Sequence, residues 1–321
     1  MNYKPIIIVT GEPFSVFSEI FFKSLKIYHN NQPIILITSK KLFIAQMKHL
    51  KFDFKINSID IDELLINKLH KNKINLINVN FLYKKTFQKI TKKSNSFIAK
   101  CFKIAIEIMN NNDCAGLING PISKKHFLNN KFLGITEYLK DLTVKKKEVV
   151  MLIYNNKLAV VPITTHLPLN EVTKNLSQKK IINQVKIIKE FYKNKLKRNP
   201  KIAITGLNPH CESNYLSSEE NRIIIPAIKY MNNRKQKIKG PFPADTLFMK
   251  EQYSKYDVII GMYHDQVLTP IKTLFGFDAI NITLGLPFIR ISPDHGPNAS
   301  MAGKNTSNPK SLIEALKFLD K

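Results

Sequence analysis

Short apolar segments recur along the whole chain and predict the strands of a buried β-sheet. Each segment is rich in Ile, Val and Leu and mostly lacks alternation with polar residues. Such segments are typical of strands that are covered on both faces. The pattern predicts strands at residues 6–9, 34–37, 116–118, 149–153, 158–163, 202–207, 258–262 and 279–284.

Amphipathic helices are predicted between these strands. Residues 178–195 place apolar side chains on one face and Lys and Asn on the other. A second helix follows Asn308-Pro309 at the end of the chain. Because strand and helix patterns alternate from end to end, we expect an α/β fold with a mainly parallel sheet. The apolar face of the first helix consists of Ile181, Ile182, Val185, Ile188 and Tyr192.

The net charge of +26 is large enough to suggest a nucleic-acid or membrane partner. Only four of the 50 basic residues are arginine, however, and Arg is the residue that phosphate and guanine recognition favours. Residues 202–321 carry 14 basic and 11 acidic residues, so +23 of the charge lies on residues 1–201. We interpret the excess as a solvated, lysine-biased surface and expect no nucleic-acid partner.

The compartment is predicted from cysteines and hydropathy. Cys101, Cys114 and Cys211 are odd in number and widely spaced, so no disulfide framework is expected. No apolar run approaches the roughly 20 residues of a membrane span. We therefore expect a cytoplasmic protein with no membrane partner.

Three histidines follow predicted strands in the same way. His166, His210 and His264 each lie two or three residues beyond a buried strand, and open α/β sheets bind ligands at that edge. If the three strands are parallel neighbours, the imidazoles meet at one edge and suit Zn²⁺, Co²⁺ or another divalent ion. The alternative is that each histidine has only a structural role.

Carboxylates and candidate anion-binding residues lie near these histidines. Asp265 adjoins His264, and Asp265 or Asp245 is expected to orient a ligand or act as a base, although Asp245 also suits a helix N-cap. Arg290 is a candidate for bidentate binding of a carboxylate or phosphate, and Lys272 and Asn281 flank the same stretch. No glycine fingerprint for a dinucleotide and no P-loop is present.

Taken together, the motifs resemble those of the 4-hydroxythreonine-4-phosphate dehydrogenase family of vitamin B6 biosynthesis. They keep the family order over nearly the whole chain. Tyr263-His264-Asp265-Gln266 with the downstream stretch 281–290 is the most specific part. The other matching segments are 10–13, 119–124, 134–139, 164–169, 206–210, 240–248, 294–296 and 302–303.

The resemblance implies a two-lobed fold like that of isocitrate and isopropylmalate dehydrogenases. Residues 1–130 with 291–321 would form one lobe, and residues 131–290 a second lobe that carries the metal site and the dimer contacts. NAD, with NADP left open, would bind without a glycine fingerprint in a cleft, with His295 and Gly296 near the adenosine. Family members are homodimers whose site takes residues from both subunits.

The resemblance also assigns roles to individual residues. His166, His210 and His264 would bind one divalent ion (Zn, Co or Mg). A small phosphorylated amino acid would be the substrate, oxidised to a β-keto acid that decarboxylates. Beside these implied roles, Asp245, Asp265 and Lys272 are our candidates for the catalytic side chains. The substrate contacts would be Thr136, Lys272, Asn281 and Arg290.

The sequence also departs from the family pattern. Ser15 and Phe17 replace two glycines of the first loop, and Ile135 replaces an imidazole that contacts substrate. Cys211-Glu212-Ser213 and Pro297 stand where the family has other residues. Two alternatives therefore stay open. One is a related dehydrogenase of D-threonate or D-erythronate 4-phosphate, and the other is a non-catalytic binding protein with a basic surface.

Overall fold

The computed structural model describes residues 3–62, 64, 66–128, 132, 134–144, 147–211, 215–293 and 295–320. Strands and helices alternate through these residues, as the sequence pattern predicts. The strands are β1 (Ile6–Val9), β2 (Ile34–Thr38), β3 (Ile56–Ile59), β4 (Ile74–Asn78), β5 (Gly116–Asn119), β6 (Val150–Tyr154), β7 (Ala159–Thr164), β8 (Ile202–Thr205), β9 (Lys239–Phe242), β10 (Val258–Tyr263), β11 (Ile280–Leu284) and β12 (Arg290–Pro293).

The α-helices range from single turns to 18 residues. They are α1 (Phe17–Ile27), α2 (Lys40–His49), α3 (Asn95–Asn111), α4 (Ile135–Thr143), α5 (Leu169–Val172), α6 (Gln178–Lys195), α7 (Ile225–Asn232), α8 (Ala244–Leu247), α9 (Lys250–Tyr253), α10 (His264–Phe275) and α11 (Lys310–Leu319). Single 3₁₀ turns lie at Ile66–Lys68, Lys92–Ser94, Thr173–Asn175, Pro209–Cys211 and Gly276–Asp278, and π-helical turns at Lys124–Leu128 and Glu220–Ile224.

The chain divides into two compact units. Unit 1 consists of residues 1–145 and 286–321, and unit 2 of residues 146–285. The divisions expected from the sequence lie at 130/131, which is outside the described residues, and at 290/291. Residues 135–143 belong to unit 1 because α4 packs Leu139 and Tyr138 against the core of that unit. Arg290, expected in the second lobe, therefore lies in unit 1.

Unit 1 contains a parallel sheet with the strand order β3-β4-β2-β1-β5-β12. Its two central strands, β1 and β2, are fully buried, which agrees with their continuous apolar sequences. Helix α3 packs Phe97, Phe102 and Ala105 into the core on one face. Covering helices explain why these strands show no alternation of polar and apolar residues.

Unit 2 contains a mixed sheet with the strand order β11-β6-β7-β10-β8-β9. Strand β6 runs antiparallel to β11 and β7, whereas β7, β10, β8 and β9 are parallel to one another. The expected α/β class with mainly parallel sheets and two lobes is therefore confirmed.

Every predicted apolar segment forms a strand, but four further strands, β3, β4, β9 and β12, escaped prediction. Strands β3 and β4 carry Asn or Ser among their apolar residues, and β9 contains Gly240 and Pro241, all of which weaken a strand pattern. Helix α6 begins and ends as predicted, although Ile182 is only half-buried and Gln184 is buried in its place. Among the described residues, no helix combines the length and apolar composition needed to cross a membrane.

Candidate active site

The three predicted metal-binding histidines follow three neighbouring strands of unit 2. Strand β10 lies between β7 and β8 and is parallel to both. Because the carboxyl ends of parallel strands meet at one edge, His166, His210 and His264 all lie just beyond that edge. The expectation that these strands are parallel neighbours is confirmed, although β8 ends at Thr205, earlier than predicted.

His166 and His264 lie side by side. Their ring centroids are 5.5 Å apart. His264 is the first residue of α10, and its Nδ1 lies 2.6 Å from Oδ1 of Asp265. A carboxylate in this position fixes the orientation of the ring and leaves Nε2 as the nitrogen that can bind a metal ion.

His210 lies in the 3₁₀ turn after β8, next to a carboxylate. Its Nδ1 is 3.9 Å from Oδ2 of Asp245, and its side chain is 75% exposed. The alternative that Asp245 is a helix N-cap is wrong, because Pro243 occupies the N-cap position of α8. His210 has a φ of 56° and His166 a φ of 51°, left-handed values that residues other than glycine rarely adopt and that often mark functional sites.

These side chains have the donor atoms that a divalent metal site needs, but the structure does not bring three of them together. In the part of the chain that the structure describes, no group of three or more His, Cys, Asp or Glu side chains is gathered closely enough to hold a metal ion. The structure instead contains two pairs, His166 with His264 and His210 with Asp245. Imidazole nitrogens with carboxylate oxygens nearby suit Zn²⁺ or Co²⁺, so the residues fit the expected ion.

Lys272 and Asn281, the expected substrate contacts of unit 2, have different surroundings. Lys272 lies in the last turn of α10 and is exposed. Asn281 lies in β11 and is half-buried, and its Oδ1 is a buried atom that has no hydrogen-bond partner among the described residues. A buried amide oxygen of this kind is available to a ligand donor.

Arg290 forms a buried polar cluster in unit 1. Its side chain is 0% exposed, its Nε donates to Oδ1 of Asn119 at 2.7 Å, and its Nη1 donates to Oγ1 of Thr136 at 3.3 Å. Burial lowers the pKa of Arg290 to about 9, and the charge of Glu137 opposes this shift. The guanidinium therefore stays charged at neutral pH. The cluster brings together two of the predicted substrate contacts, Thr136 and Arg290.

Asn119 is a site residue that sequence reasoning missed. It ends β5, is 1% exposed, and donates from Nδ2 to the carbonyl oxygen of Gly120 at 2.8 Å. The available signal was its place in the Asn-Gly-Pro motif directly after an apolar strand. Ile135, which replaces an imidazole of the family pattern, starts α4 and packs against the hydrophobic core of unit 1.

The expected cofactor-binding residues lie in a loop of unit 1. Burial lowers the pKa of His295 to about 4, so its imidazole is neutral at physiological pH. The ring lies 6.4 Å from that of Phe17, measured between centroids. Gly296 is exposed, and the neighbouring Pro297 accepts a backbone hydrogen bond from Val16 at 3.1 Å. Asp294, part of the same motif, lies outside the described residues.

The first loop contains a buried acidic residue, Glu12, that was not predicted as a site residue. Its side chain is 1% exposed, and burial raises its pKa to about 7, against a smaller opposing effect of Ser94. The loop turns at Gly11, whose φ is 72° and where a Cβ would lie 2.5 Å from the carbonyl oxygen of Pro121. This loop therefore requires glycine at position 11, while it accommodates Phe17 as a buried residue of α1.

Comparisons with known proteins agree on one family. The family model for the pyridoxal phosphate biosynthetic protein PdxA matches residues 29–319. The 4-hydroxythreonine-4-phosphate dehydrogenase of Sulfurihydrogenibium sp. (strain YO3AOP1) is 37% identical over 319 residues, which is 97% of this chain and 96% of that protein. A protein of Oceanobacillus iheyensis, provisionally named D-threonate 4-phosphate dehydrogenase, is 34% identical over 98% of this chain and 97% of its own length.

A solved structure has the same fold. The crystal structure of 4-hydroxythreonine-4-phosphate dehydrogenase from Klebsiella pneumoniae aligns with a TM-score of 0.85 and 28% sequence identity. The alignment covers 99% of this chain and 97% of that chain. Fold and sequence therefore indicate the same set of relatives.

Proposed function

This chain belongs to the family of the pyridoxal phosphate biosynthetic protein PdxA and is a dehydrogenase of that family, and from this premise we propose that it oxidises 4-phosphohydroxy-L-threonine with NAD. The observation that carries the proposal is the placement of His166, His210 and His264 beyond three parallel neighbouring strands. The 37% identity with a dehydrogenase of this name over nearly the whole chain supports the same substrate.

The proposed reaction has two chemical steps. The secondary alcohol of the substrate loses a hydride to NAD⁺ and its hydroxyl proton to a base. The resulting β-keto acid loses CO₂ and takes up a proton, which gives 3-amino-1-hydroxyacetone phosphate. Asp265 and Asp245 are the candidate bases, and each also lies beside a histidine that it can orient.

His166, His210 and His264 are proposed to hold a divalent ion, Zn²⁺, Co²⁺ or Mg²⁺. Such an ion, when bound, lowers the pKa of an alcohol and stabilises negative charge on its oxygen. Asp265 fixes the ring of His264 so that Nε2 is available. The side chain of His210 is 75% exposed, so little packing restricts the orientation of its ring.

Substrate binding is assigned to two pairs of residues, each within one unit. In unit 1, Arg290 and Thr136 are already hydrogen bonded, and a buried guanidinium binds phosphate or carboxylate strongly because little water competes. In unit 2, Lys272 supplies a positive charge for an anionic group, and the buried Oδ1 of Asn281 can accept a hydrogen bond from a hydroxyl or amino group of the substrate. Lys272 is also proposed to take part in catalysis.

The nicotinamide cofactor is proposed to bind near His295 and Gly296. Because the pKa of His295 is low, its ring is neutral. A neutral imidazole can stack on an adenine or form a hydrogen bond with it. NAD is the proposed cofactor, and NADP is the variant to test beside it.

The direct test measures NADH formation at 340 nm by the purified protein with 4-phosphohydroxy-L-threonine, NAD⁺ and Zn²⁺, Co²⁺ or Mg²⁺ in turn. We expect turnover that is lost on treatment with a chelator and restored by adding the metal. Absence of turnover with all three metals would overturn the proposal.

A related dehydrogenase of D-threonate or D-erythronate 4-phosphate is the second candidate. It is favoured by the Oceanobacillus iheyensis relative and by Ile135, an apolar residue where the family pattern has an imidazole. Comparing kcat/KM for the amino acid and the two sugar acids decides between them. Activity on the sugar acids alone would replace the first proposal by the second.

The active form is proposed to be a cytoplasmic homodimer. Unit 2 exposes large hydrophobic side chains that an interface between copies would cover, and the three cysteines are free thiols, as expected in a reducing compartment. These side chains include Leu169, Tyr215, Leu216 and Met249. Light scattering should give twice the 36.9 kDa mass of the chain.

A further inference from the structure

The amide of Gln266 joins the ends of two histidine-bearing strands. Its Oε1 accepts hydrogen bonds from the main-chain N of Met262 at 2.7 Å and from Oγ1 of Thr205 at 2.9 Å. Its Nε2 donates to the carbonyl oxygen of Gly206 at 2.8 Å. Met262 belongs to β10, whereas Thr205 ends β8 and Gly206 directly follows it, so one side chain links both strands.

The carboxylate of Glu220 holds the segment that continues from β8 to His210. Its Oε1 accepts from the main-chain N of Leu207 at 2.7 Å and of Asn208 at 2.9 Å, and its Oε2 accepts from Nδ2 of Asn208 at 2.7 Å. Glu220 is 0% exposed. Burial by itself raises the pKa of a carboxyl group, but the hydrogen bonds from Asn208 and Leu207 outweigh it and lower the pKa of Glu220.

A further hydrogen bond extends the network to β7, the strand that precedes His166. Oγ1 of Thr164, the last residue of β7, donates to the carbonyl oxygen of Met262 at 2.7 Å. The network therefore fixes Thr164, Met262 and Asn208, and each of these residues lies two positions before one of the histidines. Because the spacing is the same in all three cases, the hydrogen bonds hold the backbone at a fixed distance before each proposed metal ligand.

Two glycines leave space for the network. A Cβ at Gly261 would lie 2.4 Å from Cγ1 of Val267 and 2.9 Å from Oε1 of Gln266, and a Cβ at Gly206 would lie 2.7 Å from Sγ of Cys211 and 2.9 Å from Oε1 of Glu220. Any other residue at these positions would therefore displace the polar group together with an adjacent side chain. Gln266 is therefore accommodated beside Gly261, and Glu220 beside Gly206.

The backbone of the histidines gives a reason for such a network. His166 and His210 have left-handed φ values, which persist in residues other than glycine only where the surroundings hold them. Glu220 begins a π-helical turn, a local departure from the α-helix that is frequent at functional sites. A buried carboxylate is costly to desolvate. That of Glu220 accepts hydrogen bonds from the backbone N–H groups of Leu207 and Asn208, shortly before His210.

We propose that Gln266 and Glu220 are positioning residues of the metal site: through the hydrogen bonds to Met262, Thr205, Gly206 and the 207–208 backbone, they set where His264 and His210 stand. This inference rests on the proposed function, because it takes the three histidines to be ligands of one divalent ion. It adds two residues that touch neither the metal nor the substrate.

Cobalt titration of the metal-free protein tests this inference, because a cobalt site reports both affinity and coordination geometry through its visible absorption. The variants are Gln266→Met, which keeps the length of the side chain without its polar groups, and Glu220→Ala. We expect each to weaken Co²⁺ binding by about 10- to 100-fold, the usual loss when a group that orients a ligand is removed, and to alter the cobalt spectrum. Turnover should recover at a large excess of Co²⁺.

Two further variants separate positioning from general stability. Thr205→Val removes a single hydrogen bond to Gln266, and we expect it to weaken Co²⁺ binding by a few-fold, less than Gln266→Met. Asn155→Ala is the matched control: Asn155 is buried and hydrogen bonded in the turn between β6 and β7, at the other end of β7 from His166. It should lower Tm and leave the Co²⁺ affinity and spectrum unchanged.

The possible outcomes are distinguishable. If the wild-type protein binds Co²⁺ and turns over but Gln266→Met and Glu220→Ala bind it equally well, the positioning role is wrong and the proposed function stands. If Asn155→Ala weakens Co²⁺ as much as they do, the positioning role is again wrong. If the wild-type protein binds no Co²⁺, the metal site itself falls, and the inference with it. Should Glu220→Ala fail to fold, Gln266→Met and Thr205→Val decide the matter.

Discussion

The polar cluster of unit 1 and the histidine-bearing sheet edge of unit 2 are built in opposite ways. Arg290 is fully buried and is held by Asn119 and Thr136. His166 and His210, in contrast, are exposed. A buried charge is tied to the fold because removing it leaves partners unsatisfied. An exposed ligand contributes little to stability, so its loss should appear in metal binding and catalysis alone.

The largest effect should follow from breaking the cluster of unit 1. Arg290→Ala removes a buried charge and leaves Oδ1 of Asn119 and the carboxylate of Glu137 without it, so we expect a loss of about 3–5 kcal/mol in the free energy of unfolding. Urea denaturation measures this loss. Arg234→Ala is the control, because Arg234 is exposed and stacks on Tyr230, and it should cost about 1 kcal/mol or less. Equal losses in the two variants would show that Arg290 is not anchored in the way its contacts indicate.

A buried carboxyl group of unit 1, that of Glu12, predicts a dependence of stability on pH. The pKa of Glu12 is raised to about 7 in the folded protein, whereas an unfolded Glu titrates near 4.5. Between these two pH values Glu12 is still protonated in the folded protein, whereas it has lost its proton in the unfolded chain. The stabilisation is therefore complete below pH 4.5 and is lost as the pH rises through 7. The difference corresponds to about 3 kcal/mol.

Glu12→Gln is the matched variant for that measurement, because the amide has nearly the same shape and does not titrate. Urea denaturation at intervals between pH 4 and pH 8 should show the wild-type protein losing stability relative to Glu12→Gln as the pH rises. A constant difference between the two proteins across this range would contradict the burial of an ionisable Glu12.

The features of the two regions that the sequence predicted are those that depend on a local pattern of residues. Uninterrupted apolar segments gave the buried strands, and residues directly after them gave His166, His210 and His264. Arg290 stood out because arginine is scarce in this chain, and its place in the family motif agrees with its burial beside Thr136.

What the sequence did not predict depends on contacts between distant residues. Asn119 meets Arg290 across 171 positions, and Gln266 meets Gly206 across 60, so neither partner is visible in a local pattern. Strand β12 was missed because Pro287 and Pro293 frame a short segment that begins with a charged residue. This strand pairs Arg290 with Leu117 of β5.

For unit 2, the comparison predicts loss of function without loss of stability. His210→Ala removes an exposed proposed metal ligand, so we expect kcat/KM to fall by at least about 100-fold, the upper range seen when only an orienting partner is removed. The free energy of unfolding of the metal-free protein should change by about 0.5 kcal/mol or less. His29→Ala, an exposed histidine of unit 1, should leave both quantities unchanged. A large loss of stability in His210→Ala would contradict the contrast between the two regions.

The smallest expected effect concerns Asp265, and it decides between two roles for this carboxylate. If Asp265 orients His264 through the 2.6 Å hydrogen bond to Nδ1, Asp265→Asn keeps the geometry but weakens the hydrogen bond, and metal affinity should fall by about 10-fold. Cobalt titration measures this change, and activity should recover when the metal is in excess. Glu251→Gln, which neutralises an exposed carboxylate in α9, is the control and should change neither quantity.

The same variant gives a different result if Asp265 is the base that takes the hydroxyl proton. Metal affinity would then stay near that of the wild-type protein, while kcat would fall by about 100-fold or more and excess metal would not restore it. In that case Asp245, 3.9 Å from His210, would be left with the orienting role alone. Because an orienting carboxylate acts through metal affinity and a base acts through kcat, this single substitution assigns the two carboxylates of the sheet edge.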